Sequence, residues 1–154
     1  MFEGARGQGA RWNGKAMMVS SQQDLSGSFL ATGYPFRARG AIDVYLKVFR
    51  TAYLEARSIR RCGAASLDLA YTAAGVYDGF FEFRLSAWDL AAGVVLIREA
   101  GGVVSDLSGG EDFLQSGNLI AGSPSLHRAL LEAVESHASE SRLVELAPLE
   151  QPAE

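Results

Sequence analysis

Asp89 stands near the head of a helix-like run, Trp88-Asp89-Leu90-Ala91-Ala92-Gly93, which continues through Leu96-Ile97-Arg98-Glu99-Ala100 to Gly101-Gly102. An acidic residue therefore opens a run that is apolar nearly all round. That position has a structural use. Ser86 followed by Asp89 is close to a capping box, and an acid in the first turn suits the positive end of the helix dipole. On residue types alone, capping is the favoured reading of Asp89.

Other chemistries are excluded more directly. Gly9 to Lys15 has the glycine and lysine spacing of a phosphate-cradling loop. Such a loop needs a strand before it, a helix after it and a hydroxyl residue beside the lysine. Ala16 follows Lys15, and the next segment reads as a strand, so that loop is rejected. His127 and His137 fall on one helix ten residues apart; they cannot pinch one metal, and both are expected on the solvated surface. No Gly-x-Ser-x-Gly nucleophile elbow is present. Cys62 has no histidine on a neighbouring element, so it is read as a small buried core residue.

The elements that must position Asp89 follow from bulk and pattern. The 154 residues, 48% hydrophobic and 21% charged, suffice for one sizeable core. A single cysteine excludes an intramolecular disulfide framework and fits a reducing cytoplasm. No run of eighteen apolar residues reads as a membrane span, and Met1 to Gly7 does not read as a signal peptide. Residues 1–61 carry ten Arg/Lys against four Asp/Glu, and residues 62–154 carry four against fourteen. The arginines are scattered rather than clustered, which reads as a solvated surface and gives no support for nucleic acid.

Asn13-Gly14 predicts a type I′ hairpin with a return strand over residues 15–20. Residues 28–32 read as a strand before the Gly33-Tyr34-Pro35 turn. Ile42, Tyr45, Leu46, Phe49, Ala52 and Tyr53 form a helical stripe. Residues 58–61 read as a strand, and Leu67, Ala70, Tyr71 and Ala74 as a second stripe stopped by Gly75. In residues 77–85, alternation puts Phe81 and Phe83 on one face and Phe80 and Glu82 on the other. The helix from Asp89 to Ala100 is apolar nearly all round and is expected to be buried. Residues 103–107 and 118–121 read as strands, and Ser123-Pro124 opens a last helix with Leu126, Ala129, Leu130, Ala133 and Val134 along one face. The acidic residues 139–154 are expected to be disordered. Alternating strands and helices predict an α/β domain, a layered mixed sheet flanked by helices, over residues 34–138. Residues 1–33 do not join that alternation and read as a hairpin from a second sheet.

The run Arg60-Arg61-Cys62-Gly63-Ala64-Ala65-Ser66-Leu67-Asp68-Leu69-Ala70, then Asp78-Gly79-Phe80-Phe81-Glu82, then Trp88-Asp89 through Gly101-Gly102, resembles the second signature region of the inositol monophosphatase family. The likeness extends in order from Glu3-Gly4-Ala5-Arg6-Gly7 through Asn13-Gly14 and Gly33-Tyr34-Pro35 to the final helix. It implies the C-terminal part of the family's layered sugar-phosphatase fold and hydrolysis of a phosphate monoester with Mg2+ ions. By the same resemblance Asp89 matches a metal-binding aspartate and Glu82 a glutamate that binds a substrate hydroxyl. Gly63, Ala64 and Ala65 match a loop that approaches the substrate ring.

One departure is large. The family's other metal ligands, a glutamate and an Asp-Pro-x-Asp-Gly-Thr signature, belong to its N-terminal half, and this chain contains no Asp-Pro. The resemblance therefore implies a chain that lacks most of the metal site and is inactive alone, its missing half supplied in trans or encoded upstream of Met1, with a homodimer as a further expected partnership. A related phosphatase, for histidinol phosphate, a fructose bisphosphate or a nucleotide phosphate, is the alternative within the superfamily. A non-catalytic domain completing a site with another chain is the alternative outside it. The hairpin is expected to leave Trp12, Met17 and Val19 uncovered.

Overall fold

Asn13 and Gly14 take the positive φ angles, 51° and 79°, that a type I′ turn requires. In the computed structural model, which describes residues 1–36 and 39–138, they join β2 (Ala10–Trp12) to β3 (Lys15–Ala16), and β1 (Phe2–Gly4) pairs along the other side of β2. The result is a separate three-stranded antiparallel sheet. Its return strand is shorter than predicted. Val19 N–H donates to the carbonyl of Ala100 at 3.1 Å, so the chain after Ala16 packs onto the rest of the molecule.

The second sheet is assembled from β4 (Phe29–Thr32), β5 (Ser58–Arg60), β6 (Gly79–Glu82), β7 (Val103–Ser105) and β8 (Leu119–Gly122), in the order β5-β4-β6-β8-β7. β5, β4 and β6 are parallel, while β8 runs antiparallel to both β6 and β7. This is the layered mixed sheet the alternation predicted. A 3-10 turn (Arg39–Ala41) leads into α1 (Ile42–Glu55) between β4 and β5; α2 (Ala65–Ala73) and α3 (Ala87–Glu99) flank β6 in the chain. A short α4 (Phe113–Ser116), which no periodicity announced, precedes β8, and α5 (Pro124–Ala138) closes the described chain. The expected disordered tail lies outside the described residues.

Strand alternation divides the core into two layers. Phe80 joins Leu69, Leu90, Ile97 and Leu119 under α2 and α3, whereas Phe81 and Phe83 join Tyr45, Val48, Leu126 and Leu130 under α1 and α5. The predicted faces of three helices need correction. α1 buries Val44, Tyr45, Val48 and Ala52, and turns Ile42, Tyr53 and the 51%-exposed Leu46 outward. α2 buries Leu69, Ala70 and Ala73, with Leu67 exposed. α3 is not buried all round: Trp88 and Val95 face outward, because only the Leu90, Gly93, Val94, Ile97 side meets α2 and the sheet. Gly93 is required at that contact, since a Cβ there would sit 2.5 Å from the Leu69 Cβ.

The first sheet is better covered than expected. Met17 is buried at 7% exposure, packing in the α2–α3 layer with Ala10 and Leu96, so its predicted exposure is corrected. Val19 is half-buried against the same layer. Trp12, at 38%, does retain exposed surface while stacking on Phe2 at 5.1 Å and meeting Tyr71 edge-on. Glu99 fastens the sheet to the end of α3. Its carboxylate accepts the N–H groups of Gly7 and Gly9, each at 2.8 Å, and these bonds hold it below the usual carboxylate range.

Candidate active site

The carboxyl ends of the three parallel strands open onto one cavity of about 360 Å³. Ligand clefts of open α/β sheets form at such strand ends. Thr32 and Gly33 arrive at the end of β4, Arg61 and Gly63 just past β5, and Glu82 at the end of β6. The first turns of α2 and α3 supply Ala65, Asp68 and Asp89. The five residues singled out by resemblance, Gly63, Ala64, Ala65, Glu82 and Asp89, therefore all line one cleft, although up to 26 positions separate them.

Local chemistry explains each placement. Gly63 has φ 94°, and a Cβ there would lie 2.5 Å from Arg61 Nη1. Glu82 lies over Gly33 so closely that a Cβ at that position would approach its carboxyl carbon to 2.0 Å. Asp89 occupies the third helical position of α3 and forms a capping box with Ser86, whose backbone N–H donates to Asp89 Oδ2 at 3.1 Å. Capping and cleft lining thus coexist in one side chain.

Three charged residues of the cleft were not singled out. Asp68, 1% exposed, has an Oδ1 with no hydrogen-bond partner among the described residues. Burial raises its pKa to about 6, against weaker opposing pulls from Cys62 and Arg61. The only signal in the sequence was an acid set between Leu67 and Leu69 inside a helical stripe. Arg61 places its guanidinium over the rings of Tyr34 and Phe36, at 5.3 and 5.7 Å. Arg84 adopts φ 63°, a left-handed conformation uncommon for a residue with a long side chain.

Two residues set aside by sequence lie elsewhere than expected. Cys62 is exposed, its Sγ 3.3 Å from the Tyr77 hydroxyl, because the turn after β5 carries it out of the core. His127 is buried rather than solvated, with Nε2 2.8 Å from Ser105 Oγ, whose hydroxyl donates to the Asp106 carbonyl. Burial lowers its pKa. The His137 side chain lies outside the described ones.

Among the described residues no three metal-capable side chains converge. Asp89 can offer carboxylate oxygen, but the donors present do not make a divalent-cation centre by themselves.

The mixed α/β sheet flanked by helices is the fold of the inositol monophosphatase family, and the chain belongs to that family, whose model matches residues 1–139. It is 49% identical over 138 residues to the Nus factor SuhB of Pseudomonas aeruginosa, covering 88% of this chain and 51% of that protein. It is 45% identical over 139 residues to the inositol-1-monophosphatase of Mesorhizobium japonicum, covering 90% and 52%. The crystal structure of the extragenic suppressor protein suhB from Bartonella henselae superposes with a TM-score of 0.83 at 42% identity, covering 87% of this chain and 51% of that one. The chain thus spans about half the length of the relatives it matches.

Proposed function

We propose that this cleft is the substrate-binding part of a phosphomonoesterase acting on inositol monophosphate or a related polyol phosphate. The observation that carries the reading is the convergence of Glu82, Asp89 and the Gly63–Ala65 loop on one cavity at the parallel strand ends. The half-buried Glu82 would accept a hydrogen bond from a substrate hydroxyl. Gly63, Ala64 and Ala65 leave room for a ring to approach the backbone. Asp89, with its rotamer held by the capping box, would contribute one carboxylate to a magnesium site whose other ligands come from outside these residues. When bound, magnesium activates water and neutralises phosphate charge; the donors described here carry no such step alone.

A second reading is a non-catalytic domain that works with another polypeptide, favoured by the Nus factor naming of several relatives. The two separate in one assay. Phosphate release from inositol monophosphate is measured for the chain alone, and again with the N-terminal half of a family phosphatase fused or added in trans. Background release alone and magnesium-dependent release after completion support the first reading. No release in either form, from a folded complex, rejects it. Sedimentation of the same samples reports whether the chain also pairs with a second copy, for which the outward Ile42, Leu46 and Tyr53 of α1 offer apolar surface.

A further inference from the structure

The cleft's cations stand apart from anything the family resemblance assigned. A phosphate monoester arrives as a dianion, yet Asp68, Glu82 and Asp89 line this cavity with carboxyl groups. Carboxyl groups facing one cavity oppose a dianion unless cations accompany it. Magnesium would neutralise part of that charge in a completed site, and this chain can add cations of its own. Two guanidinium-bearing residues do line the cavity, Arg61 and Arg84.

Each is held by its own device. Arg61 stacks over Tyr34 and Phe36, which stand edge to face at 5.7 Å. Arg84 is held by its backbone. At φ 63° it occupies a region that glycine enters freely and a side-chain-bearing residue enters only at a cost. The surroundings enforce that conformation: Arg84 N–H donates to Asn118 Oδ1 at 3.2 Å, and Leu85 N–H donates to the Gly117 carbonyl at 2.8 Å. Gly117 in turn cannot carry a side chain, since a Cβ there would sit 2.1 Å from the Leu85 carbonyl oxygen. A strained residue lodged in a cleft, where glycine would fit without strain, points to use of its side chain.

We propose that Arg84, together with Arg61, forms an anion subsite of this cleft that takes the phosphate dianion of the substrate. The inference rests on the phosphomonoesterase reading and adds to it a cationic contact belonging to this chain. Guanidinium suits the task because its planar fork meets two phosphate oxygens at once and keeps its charge at any working pH.

The test is calorimetric titration of the 154-residue chain, in chelator-containing buffer, with inorganic phosphate, inositol 1-phosphate and unphosphorylated inositol. The phosphate-bearing probes are expected to bind at least about tenfold more tightly than inositol, and less tightly as salt rises. Arg84→Gly relieves the backbone, so it should melt no lower than the parent while weakening phosphate binding about tenfold. Arg84→Asn, which also accepts positive φ, should behave alike, and Arg84→Lys should fall between parent and glycine variant. Unchanged phosphate affinity in Arg84→Gly overturns the inference, as does a lower melting temperature in both Arg84→Gly and Arg84→Asn, which would make the residue structural. Absence of phosphate binding by the parent overturns it too. Failure of hydrolysis in the completed protein, with Arg84-dependent phosphate binding intact, would reject the phosphatase reading and leave the anion subsite standing.

Discussion

Gly33 and Glu82 compete for one volume: a Cβ on Gly33 would lie 2.0 Å from both the carboxyl carbon and Oε1 of Glu82. The turn after β4 is therefore glycine because the last residue of β6 lays its carboxylate across it. The pairing links two parallel strands at the floor of the cleft, where β4 and β6 are in register from Leu30 and Gly79 onward. Gly33→Ala should dislodge Glu82, because a flexible side chain yields more readily than backbone. The single variant should lose stability by about 1 kcal/mol. Gly33→Ala combined with Glu82→Ala should recover at least about 0.5 kcal/mol of that loss, read from a double-mutant cycle in urea. Strict additivity of the two changes would show that they do not interact.

Asp68 makes a prediction about pH. Its carboxyl has a pKa of about 6 in the folded chain against 3.8 as its ordinary value, because burial disfavours the charged form. A carboxyl raised in this way adds stability that is fully present below pH 3.8 and is lost as pH rises through 6. Ionising it costs up to about 3 kcal/mol at pH 7. Asp106 and Glu99 run the other way. Asp106 is buried, and burial pushes its carboxyl up, but hydrogen bonds from Ser108, Gly110 and Asp112 outweigh that and leave it lowered. Both lose their contribution as acid protonates them. The informative quantity is the difference between Asp68→Asn and parent across pH 4 to 8 in urea melts. The variant should gain on the parent as pH rises through 6. A pH-independent difference would refute the shift.

Asp89 caps α3 and, on the proposed reading, would also ligate a metal; substitution can separate the two. Asp89→Asn keeps an oxygen acceptor for the Ser86 N–H, so the capping box should survive with a stability change within about 0.5 kcal/mol. Asp89→Ala removes the acceptor and should cost about 1 kcal/mol. In a completed, active protein both variants should lose phosphate release by orders of magnitude, since both would remove the carboxylate proposed to ligate the metal. Melting curves and phosphate assays on the same samples would expose a purely structural Asp89 as activity loss that tracks stability.

Glu99 tests how the small sheet is held. Its carboxylate receives the Gly7 and Gly9 N–H groups, so Glu99→Gln should weaken both bonds. Amide exchange at Gly7 and Gly9 should accelerate, while exchange at Phe80 and Ile120 in the buried strands stays slow. Equal acceleration at all four would mean that the clamp supports the whole fold.

His127 should make the chain acid-sensitive through its own side chain. Burial lowers its pKa, so the stability it contributes is present above the ordinary value of 6.5 and falls away as pH drops. His127→Gln can still meet Ser105 Oγ and should flatten that part of the pH profile.

Local chemistry alone determined a good part of this molecule. Asn13-Gly14 dictated its turn because two positive φ angles in succession suit few other pairs. Phe80 and Phe81 were assigned to opposite layers by strand alternation, and Ser123-Pro124 opened α5, because both rules act over one to three residues. The cleft residues Glu82 and Asp89 were legible through motif resemblance, and their meeting across one cavity is a property of the fold. What tertiary structure decided is of another kind. Which face of α1 turns inward depends on what α5 and β6 present to it, and Ile42 and Leu46 are apolar enough to have gone either way. The solvation of Asp68, Cys62 and His127 depends on neighbours distant in sequence: Tyr77 lies fifteen positions from Cys62, and Ser105 twenty-two from His127. The strain at Arg84 is imposed by Asn118 and Gly117, more than thirty positions away. Burial and backbone strain are set by packing partners brought together across the chain, and no window of a few residues contains them.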